Sequence, residues 1–223
     1  MLTRAQLQEV SVNMKAMFPD AHCELIHRNP FELVVAVALS AQATDALVNQ
    51  VTPGLFEAYP TVEAMAQAEV ADIEQLIKRI GLYRNKAKNV KALSMQLVTL
   101  HGGIVPNDRA ALEALPGVGR KTANVVLSVA FGEPAFAVDT HVERVSKRLG
   151  ICRWKDNVRQ VEDTLMKKFP RDEWSTLHHQ FIFFGRYHCK AQRPGCEACP
   201  LLHLCREGKK RMKSAQATQN KAT

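Results

Sequence analysis

Apolar residues recur along this chain at the spacing of an α-helix, and no segment alternates apolar and polar residues convincingly enough to be a strand. In the segment that starts at Val70, for example, Ile73, Ile77 and Ile80 fall on one helical face, and Gly81 then stops the helix. Similar caps and breakers occur throughout the chain, so each helix is short. About ten short helices joined by small turns predict an all-α protein.

Start and stop signals place the individual helices. The apolar run 31–39 is short enough to be a buried strand, but Asn29 and Pro30 form a helix cap and first turn, which favours a buried helix. Thr44 caps the next helix, which we expect to break at 52–54 because of Pro53. The remaining helices are expected after Thr3, after Thr61, and over Val70–Ile80, Arg84–Leu100, Asp108–Leu115, Lys121–Phe131, Val138–Leu149, Val158–Phe169 and Asp172–His188.

The net charge of +8 is distributed unevenly. Residues 134–223 contain 18 Lys and Arg against 9 Asp and Glu, whereas residues 23–133 contain 10 against 11. A concentrated basic region indicates a polyanionic partner, most often nucleic acid. The end of the chain, residues 207–223, could be a basic solubilising tail. It supplies less than half of the basic excess, so we expect nucleic acid to be the partner.

The apolar segments are too short for a membrane. The longest, Leu33–Leu39, is far below the ~20 residues of a membrane span, and the first residues lack the apolar core of a signal peptide. We therefore expect a cytoplasmic protein that does not bind membranes. Cytoplasmic thiols stay reduced, so a disulfide framework is not expected.

Four of the six cysteines crowd into seventeen residues: Cys189, Cys196, Cys199 and Cys205. Four thiolates at this spacing suit a tetrahedral zinc ion or a [4Fe–4S] cluster, and a single C-x2-C pair does not decide between them. Lys190 and Arg193 lie in the same loop and can present positive charge to phosphate groups. Cys23 and Cys152 stand apart and are expected to be core residues.

A glycine turn, Leu115-Pro116-Gly117-Val118-Gly119-Arg120-Lys121-Thr122-Ala123, separates two predicted helices. Gly117 and Gly119 permit positive φ, and their amides with the next helix N-terminus can hold a phosphate oxygen. The string is not a Walker A loop, because residue 120 is Arg and a helix precedes the turn. An ordinary turn between helices would also contain glycine. The full string is more specific and is typical of a helix-hairpin-helix, which binds the DNA backbone and would place Arg120 at the phosphates.

Two residues near this turn are candidates for chemistry. Lys121 lies at the start of a helix, where the positive end of the helix dipole disfavours a charged lysine. An uncharged lysine is a nucleophile able to form a Schiff base, although a phosphate-binding lysine is equally compatible. Asp139 follows one short loop later and could stabilise a cation at a sugar carbon. Either Asp139 or Thr140 could instead cap the following helix, with Glu143 completing a capping box.

The turn, the aspartate and the four cysteines, in this order from about Pro30 to Cys205, resemble the helix-hairpin-helix base-excision DNA glycosylases. The resemblance implies an all-α, two-domain protein with a DNA-binding cleft between its domains. A six-helix domain at residues 23–133 would carry the hairpin. Residues 1–22 would join residues 134–206 in a discontinuous iron–sulfur domain, and residues 207–223 would form the basic tail.

The resemblance also implies a mechanism, in which Lys121 is the nucleophile and Asp139 its partner. The damaged nucleotide is flipped out of the duplex because its C1′ is otherwise out of reach. Lys121 attacks C1′, and β-elimination from the Schiff base then cuts the strand. Gln42 would fill the gap in the base stack, with Leu82 as a second wedge. The four cysteines would bind a [4Fe–4S] cluster.

The implied function is therefore a bifunctional glycosylase and lyase acting on double-stranded DNA with oxidised pyrimidines or abasic sites. We expect a monomer in a bacterial cell, associated with the nucleoid through DNA. The related adenine glycosylases lack a lysine at the position of Lys121 and carry an extra C-terminal domain, which we do not expect here. A non-enzymatic DNA-binding module with a structural metal is the other alternative, and Lys121 and Asp139 argue against it.

Overall fold

The computed structural model describes residues 2–219; residue 1 and residues 220–223, including Lys221 of the expected tail, lie outside this range. Within it the chain forms α-helices and no β-strand, which confirms the predicted all-α class. The helices are α1 (Arg4–Met17), α2 (Pro30–Leu39), α3 (Asp45–Ala58), α4 (Val62–Gln67), α5 (Val70–Ile77), α6 (Tyr83–His101), α7 (Arg109–Glu113), α8 (Arg120–Phe131), α9 (Thr140–Leu149), α10 (Val158–Lys168), α11 (Trp174–Phe183) and α12 (Arg206–Gln219).

The predicted N-caps are present in the structure. The side chains of Thr3, Asn29, Thr44 and Thr61 each accept a hydrogen bond from a backbone N–H in the first turn of the helix that follows. Thr3 also forms a reciprocal capping box, because the Gln6 side chain accepts from the backbone N–H of Thr3. Each cap satisfies a donor that the helix itself leaves without a partner. Local sequence therefore fixes where these helices begin.

The expected break at 52–54 is wrong, because α3 continues through Pro53 to Ala58. Proline removes one backbone donor from the helix. The preceding residue, Thr52, is buried and donates its hydroxyl to the carbonyl of Val48 at 3.0 Å. Leu55, beyond the proline, is fully buried, so packing of the apolar face outweighs the lost hydrogen bond.

The predicted helix over Asp172–His188 is divided into three parts. A 3₁₀ turn, Arg171–Glu173, leads into α11, and a π-helical turn, Phe184–His188, follows α11. The π turn ends at Cys189, whose backbone N–H donates to the Phe184 carbonyl. A π turn inserts one residue into the helical repeat and is common at functional sites. Here it delivers the chain to the first cysteine of the predicted metal centre.

Residues 23–135 form one compact unit, which ends two residues later than the expected domain 23–133. It contains seven helices, α2–α8, where the resemblance implied six, and it includes both helices of the hairpin, α7 and α8. In this unit α2 packs against α3, α6 and α8, and residues 33–36 are fully buried. The prediction of a buried helix for the run 31–39 is therefore confirmed.

Residues 2–22 and 136–219 form the other unit. Its core is aromatic: Phe136, Phe181 and Phe184 are almost fully buried, and the rings of Phe136 and Phe181 meet edge to face with centroids 6.1 Å apart. The N-terminal helix α1 packs against α11, and the Ser11 hydroxyl donates to the Glu173 carboxylate at 2.8 Å. The two ends of the chain thus build one hydrophobic core.

The described part of the expected basic tail is helical. Residues 207–219 belong to α12, which packs against α9 in the second unit. The backbone N–H of Gly208 donates to the Sγ atom of Cys205 at 3.2 Å, which ties the first turn of α12 to a predicted metal ligand. Among residues 2–219, no helix has the length and apolar character needed to cross a membrane.

Candidate functional site

The glycine turn connects α7 to α8, as the helix-hairpin-helix pattern predicts. Gly117 has φ +78°, and a Cβ at this position would lie 3.0 Å from Cβ of Asn89. Gly119 is extended instead, with φ −94°, and a Cβ there would meet no atom of the described chain within 4 Å. The expectation that both glycines permit positive φ thus holds for Gly117 alone. Gly119 leaves open space beside the backbone, which suits the close approach of a phosphate.

The first turn of α8 carries the candidate nucleophile. Gly119 is the N-cap, and no side chain of the described residues caps this helix. Lys121 is the second residue of α8, and its side chain is exposed. The Arg120 guanidinium lies 3.6 Å from the Glu113 carboxylate of α7, so the two helices of the hairpin share an ion pair. The turn therefore presents an exposed amine beside a helix N-terminus.

Two further residues near Lys121 could not be found from the sequence. Burial raises the pKa of the Cys23 thiol; the Asp45 carboxylate raises it further, whereas the Lys121 ammonium lowers it. Asp45 and Lys121 therefore both lie close enough to Cys23 to shift its pKa, although the three residues are far apart in the sequence. Cys23 was expected to be a core residue, and it is only half-buried. A single sequence contains no signal for this grouping.

Asp139 is the N-cap of α9 in the second unit. Its Oδ1 atom accepts hydrogen bonds from the backbone N–H groups of His141 and Val142, both at 2.8 Å. The alternative cap, Thr140 with Glu143, is not formed, because Glu143 pairs with Lys147 at 2.6 Å. The cap fixes one carboxylate oxygen and leaves the negative charge at a half-buried position. Capping and a catalytic role for Asp139 are therefore compatible.

His141 lies next to Asp139 and was not singled out from the sequence. Burial lowers its pKa; the Asp139 charge opposes this, while Arg144 and Arg186 add to it. The Arg144 guanidinium lies 3.2 Å from Nδ1 of His141. A Cβ on Gly185 would lie 2.8 Å from Cβ of His141, so α9 and the π turn pack closely here. The His141 ring is thereby held in place next to the Asp139 carboxylate.

The two predicted wedge residues share an unusual backbone conformation. Gln42 has φ +57° in the loop after α2, and Leu82 has φ +60° at the N-cap of α6. Both side chains point into solvent, and Leu82 is 60% exposed. A large apolar side chain at a left-handed, exposed position is poorly explained by packing. Leu82 therefore does not serve as a core contact at the end of a helix, which would be the ordinary structural role for a leucine at this position.

The four clustered cysteines, Cys189, Cys196, Cys199 and Cys205, all line one cavity. Four thiols around one cavity are the ligand set of a tetrahedral zinc ion or of an iron–sulfur cluster. The structure therefore brings together the four cysteines that the sequence singled out as metal ligands.

The charges and hydrogen bonds of this cavity suit a cationic group. Burial, with smaller contributions from the three partner thiols, raises the pKa of Cys199 to about 11. Four thiolates would not form together without positive charge between them. The backbone of Gly208 and the Arg148 guanidinium direct N–H groups at Cys205 and Cys189 Sγ, at 3.2 and 3.4 Å. Such N–H···S contacts orient sulfur ligands and tune the bound metal.

A buried arginine on α9 anchors the first part of the cysteine loop. Arg148 is only 7% exposed, and its guanidinium donates to the carbonyls of Lys190 at 2.7 Å and Ala191 at 2.9 Å. The Lys190 side chain is exposed, as is that of Arg193, whose backbone has φ +48°. The loop backbone is thus held from within while its two predicted DNA-binding cations face solvent.

Comparison with known proteins agrees with these features. Residues 35–171 match the HhH-GPD superfamily base excision DNA repair protein family. The chain is 63% identical to endonuclease III of Bacillus subtilis, over 96% of this chain and 97% of that protein. It is 46% identical to endonuclease III of Escherichia coli, over 92% and 96%.

A solved structure shows the same fold. The structure of a trapped endonuclease III–DNA covalent intermediate superimposes with a TM-score of 0.93 and 65% identity, and the match covers 95% of this chain and all of that one. Sequence, fold and the residues of the hairpin therefore agree, and this chain belongs to the endonuclease III family within the HhH-GPD superfamily of base excision DNA repair proteins.

Proposed function

We propose that this chain is a bifunctional DNA glycosylase and abasic-site lyase that removes oxidised pyrimidines from duplex DNA. The observation that carries the proposal is the position of Lys121, an exposed amine in the first turn of α8, directly after the helix-hairpin-helix turn. A phosphate held at that turn would bring a sugar of the same strand within reach of the amine. A lysine that only binds phosphate could occupy the same position, so the trapping experiment below separates binding from chemistry.

The reaction follows from amine chemistry. Uncharged Nζ of Lys121 forms a bond to C1′ while the C1′–N bond of the damaged base breaks, and the base leaves with a proton. Opening of the sugar ring converts the adduct to an imine. Loss of a proton from C2′ then expels the 3′ phosphate and cuts the strand. Asp139 supplies negative charge that stabilises the cation developing at C1′, and its cap hydrogen bonds keep that charge in place.

Binding is divided between two basic elements. Gly117 and Gly119 shape the hairpin turn for one backbone phosphate, and Arg120 lies at the same turn. Lys190 and Arg193 extend from the cysteine loop and attract the DNA backbone without reading its sequence. Gln42 and Leu82 project as wedges that occupy the gap left when the damaged nucleotide leaves the stack.

The cofactor we propose is a [4Fe–4S] cluster held by the four cysteines. When bound, it cross-links the loop that carries Lys190 and Arg193 to α12, which stabilises the DNA-binding surface. Arg148 and Gly208 support its sulfur ligands through the N–H···S contacts described above. We further propose that the protein works as a cytoplasmic monomer, because binding one duplex requires no symmetric partner.

Borohydride trapping tests the reaction. The wild-type protein is mixed with duplex DNA that contains one oxidised pyrimidine, and borohydride reduces the imine to a permanent protein–DNA adduct. Lys121→Gln is expected to give no adduct while still binding the duplex. Lys88→Gln, an exposed lysine on α6, is the matched control and should trap normally. Failure of the wild-type protein to trap, or an undiminished adduct with Lys121→Gln, would overturn the proposal.

Metal analysis tests the cofactor. Protein purified without air is expected to be brown and to contain about four irons per chain. A colourless protein that contains zinc in place of iron would show that the four cysteines hold a different metal.

A further inference from the structure

Lys86 is the buried cation of the first unit. It lies in the first turns of α6 and is 7% exposed, and burial lowers its pKa. A buried ammonium is costly unless its N–H groups find acceptors. Its Nζ atom donates to the carbonyl of Leu39 at 3.0 Å and to the carbonyl of Ala41 at 2.6 Å. Both acceptors are backbone carbonyls, one at the end of α2 and one in the loop that follows. The Lys86 side chain therefore stabilises the chain where it leaves α2.

The two acceptors fix the loop that carries Gln42. Leu39 is the last residue of α2, where carbonyls lack helical partners and attract positive charge. The Ala41 carbonyl belongs to the peptide bond that leads directly into Gln42. That peptide precedes a non-glycine residue in the left-handed region, a conformation that is disfavoured for residues with a Cβ and is held by the surrounding structure. The ammonium of Lys86 provides such support.

The side chain of Lys86, and not its backbone, makes these contacts. The backbone N–H of Lys86 donates to the carbonyl of Leu82 at 3.1 Å, but this is the first hydrogen bond of α6 and would form with any residue other than proline at position 86. The support that is specific to Lys86 therefore goes to the loop that carries Gln42.

We propose that Lys86 is a positioning residue that holds Gln42 as a preformed wedge for base extrusion. The inference rests on the proposed function, since it names how that site is organised. Without the ammonium, the loop from Ser40 to Thr44 would have to be ordered each time DNA binds, and that ordering opposes the wedge's insertion. The loss should fall on extrusion of a stacked, paired nucleotide, because an abasic or unpaired nucleotide leaves the helix more easily.

The test compares two substrates. Lys86→Met keeps the aliphatic chain and removes the donors; Lys88→Met on the exposed face of α6 is the matched control. Single-turnover excision of an oxidised pyrimidine in a fully paired duplex should slow by about 10- to 100-fold in Lys86→Met. Borohydride trapping at a preformed abasic site should change less than about threefold, because no base has to be extruded there.

A double variant tests whether Lys86 acts through Gln42. If Lys86 acts by placing Gln42, adding Lys86→Met to Gln42→Ala should slow excision little beyond Gln42→Ala alone. Multiplied losses in the double variant, equal losses on both substrates, or unchanged excision by Lys86→Met would overturn the proposal. An inactive wild-type protein would instead contradict the proposed function, so the two failures are distinguishable.

A conservative variant covers the case in which Lys86→Met does not fold. Lys86→Arg retains N–H donors and positive charge, and its folding is checked by helical circular dichroism. A folded Lys86→Arg protein should excise the paired lesion within about tenfold of wild type. A folded Lys86→Arg protein that cuts abasic sites normally and extrudes the paired lesion normally, despite losing both loop contacts in its crystal structure, would overturn the proposal.

Discussion

The carboxylate of Asp139 accepts a hydrogen bond at 2.8 Å from the backbone N–H of Val142, so the proposed catalytic charge is also the cap of α9. Two substitutions separate these roles. Asp139→Asn keeps an acceptor oxygen, so its unfolding free energy should stay within about 0.5 kcal/mol of wild type. Asp139→Ala should lose about 1 kcal/mol. Excision should fall at least about 100-fold in both, because both lose the charge.

Urea unfolding and single-turnover excision measure the two effects. Full activity in Asp139→Asn would show that the residue is only a cap. Loss of activity in proportion to loss of stability would lead to the same conclusion.

Alanine substitutions at the two hairpin glycines should have different effects, because Gly117 has a positive φ and Gly119 is extended. Gly117→Ala places a Cβ at φ +78° and 3.0 Å from Asn89, so it should lower the unfolding free energy by about 1–2 kcal/mol. The backbone of Gly119 is extended and a Cβ there would meet open space. The unfolding free energy of Gly119→Ala should therefore stay within about 0.5 kcal/mol of wild type. The methyl group that Gly119→Ala adds should instead weaken DNA binding, because it would obstruct the approach of the phosphate. Equal DNA affinity in Gly119→Ala and wild type would exclude a backbone phosphate contact there.

Arg148 should govern how well the cysteine loop retains its metal. Arg148→Met removes the donors to Lys190, Ala191 and the Cys189 sulfur. Iron retention against a chelator should weaken by about 10-fold or more. Arg148→Lys should restore only part of it, because one ammonium cannot reproduce the planar fork. Arg159→Met, at an exposed ion pair on α10, is the control, and iron loss equal to that of Arg148→Met would contradict the prediction.

Local sequence was sufficient for the helix starts and for the hairpin turn. The side-chain caps at Thr3 and Asn29 involve residues within one turn, so they can be predicted from neighbouring residues alone. The hairpin turn is a contiguous string, and its prediction needed no tertiary information. The all-α class followed from the same local signals.

The remaining features depend on contacts between distant residues. Pro53 stays helical because burial of Leu55 outweighs a local breaker signal. The bond from Lys86 to the Leu39 carbonyl spans 47 positions, and the bond from Arg148 to the Lys190 carbonyl spans 42. Neither is encoded in periodicity or spacing, so both were beyond sequence reasoning.

The second unit should lose stability in mild acid. Burial lowers the pKa of His179 to about 4, with a smaller contribution from His22, and the ring stacks on His178 with centroids 3.8 Å apart. The folded pKa lies below the ordinary value of 6.5, so the unfolded chain binds more protons between these values and stability falls as the pH drops through them. From pH 7 to pH 5 the expected loss is about 2 kcal/mol.

Denaturant midpoints at pH 7 and pH 5 measure this loss. His179→Gln should show a smaller difference between the two midpoints than wild type. An unchanged difference in His179→Gln would assign the acid sensitivity to other groups.

Because residues 134–223 are strongly basic, DNA binding should weaken as the salt concentration rises. Each phosphate contact releases counterions, so the logarithm of the DNA-binding constant falls with the logarithm of salt concentration by about 0.9 per contact. Lys190→Gln and Arg193→Gln should each reduce that slope by about 1, and the double variant by about 2. Lys155→Gln is the exposed control on the same unit and should leave the slope unchanged. Fluorescence anisotropy from 50 to 200 mM salt measures the slopes; an unaltered slope in the double variant would mean that these charges serve solubility and do not contact DNA.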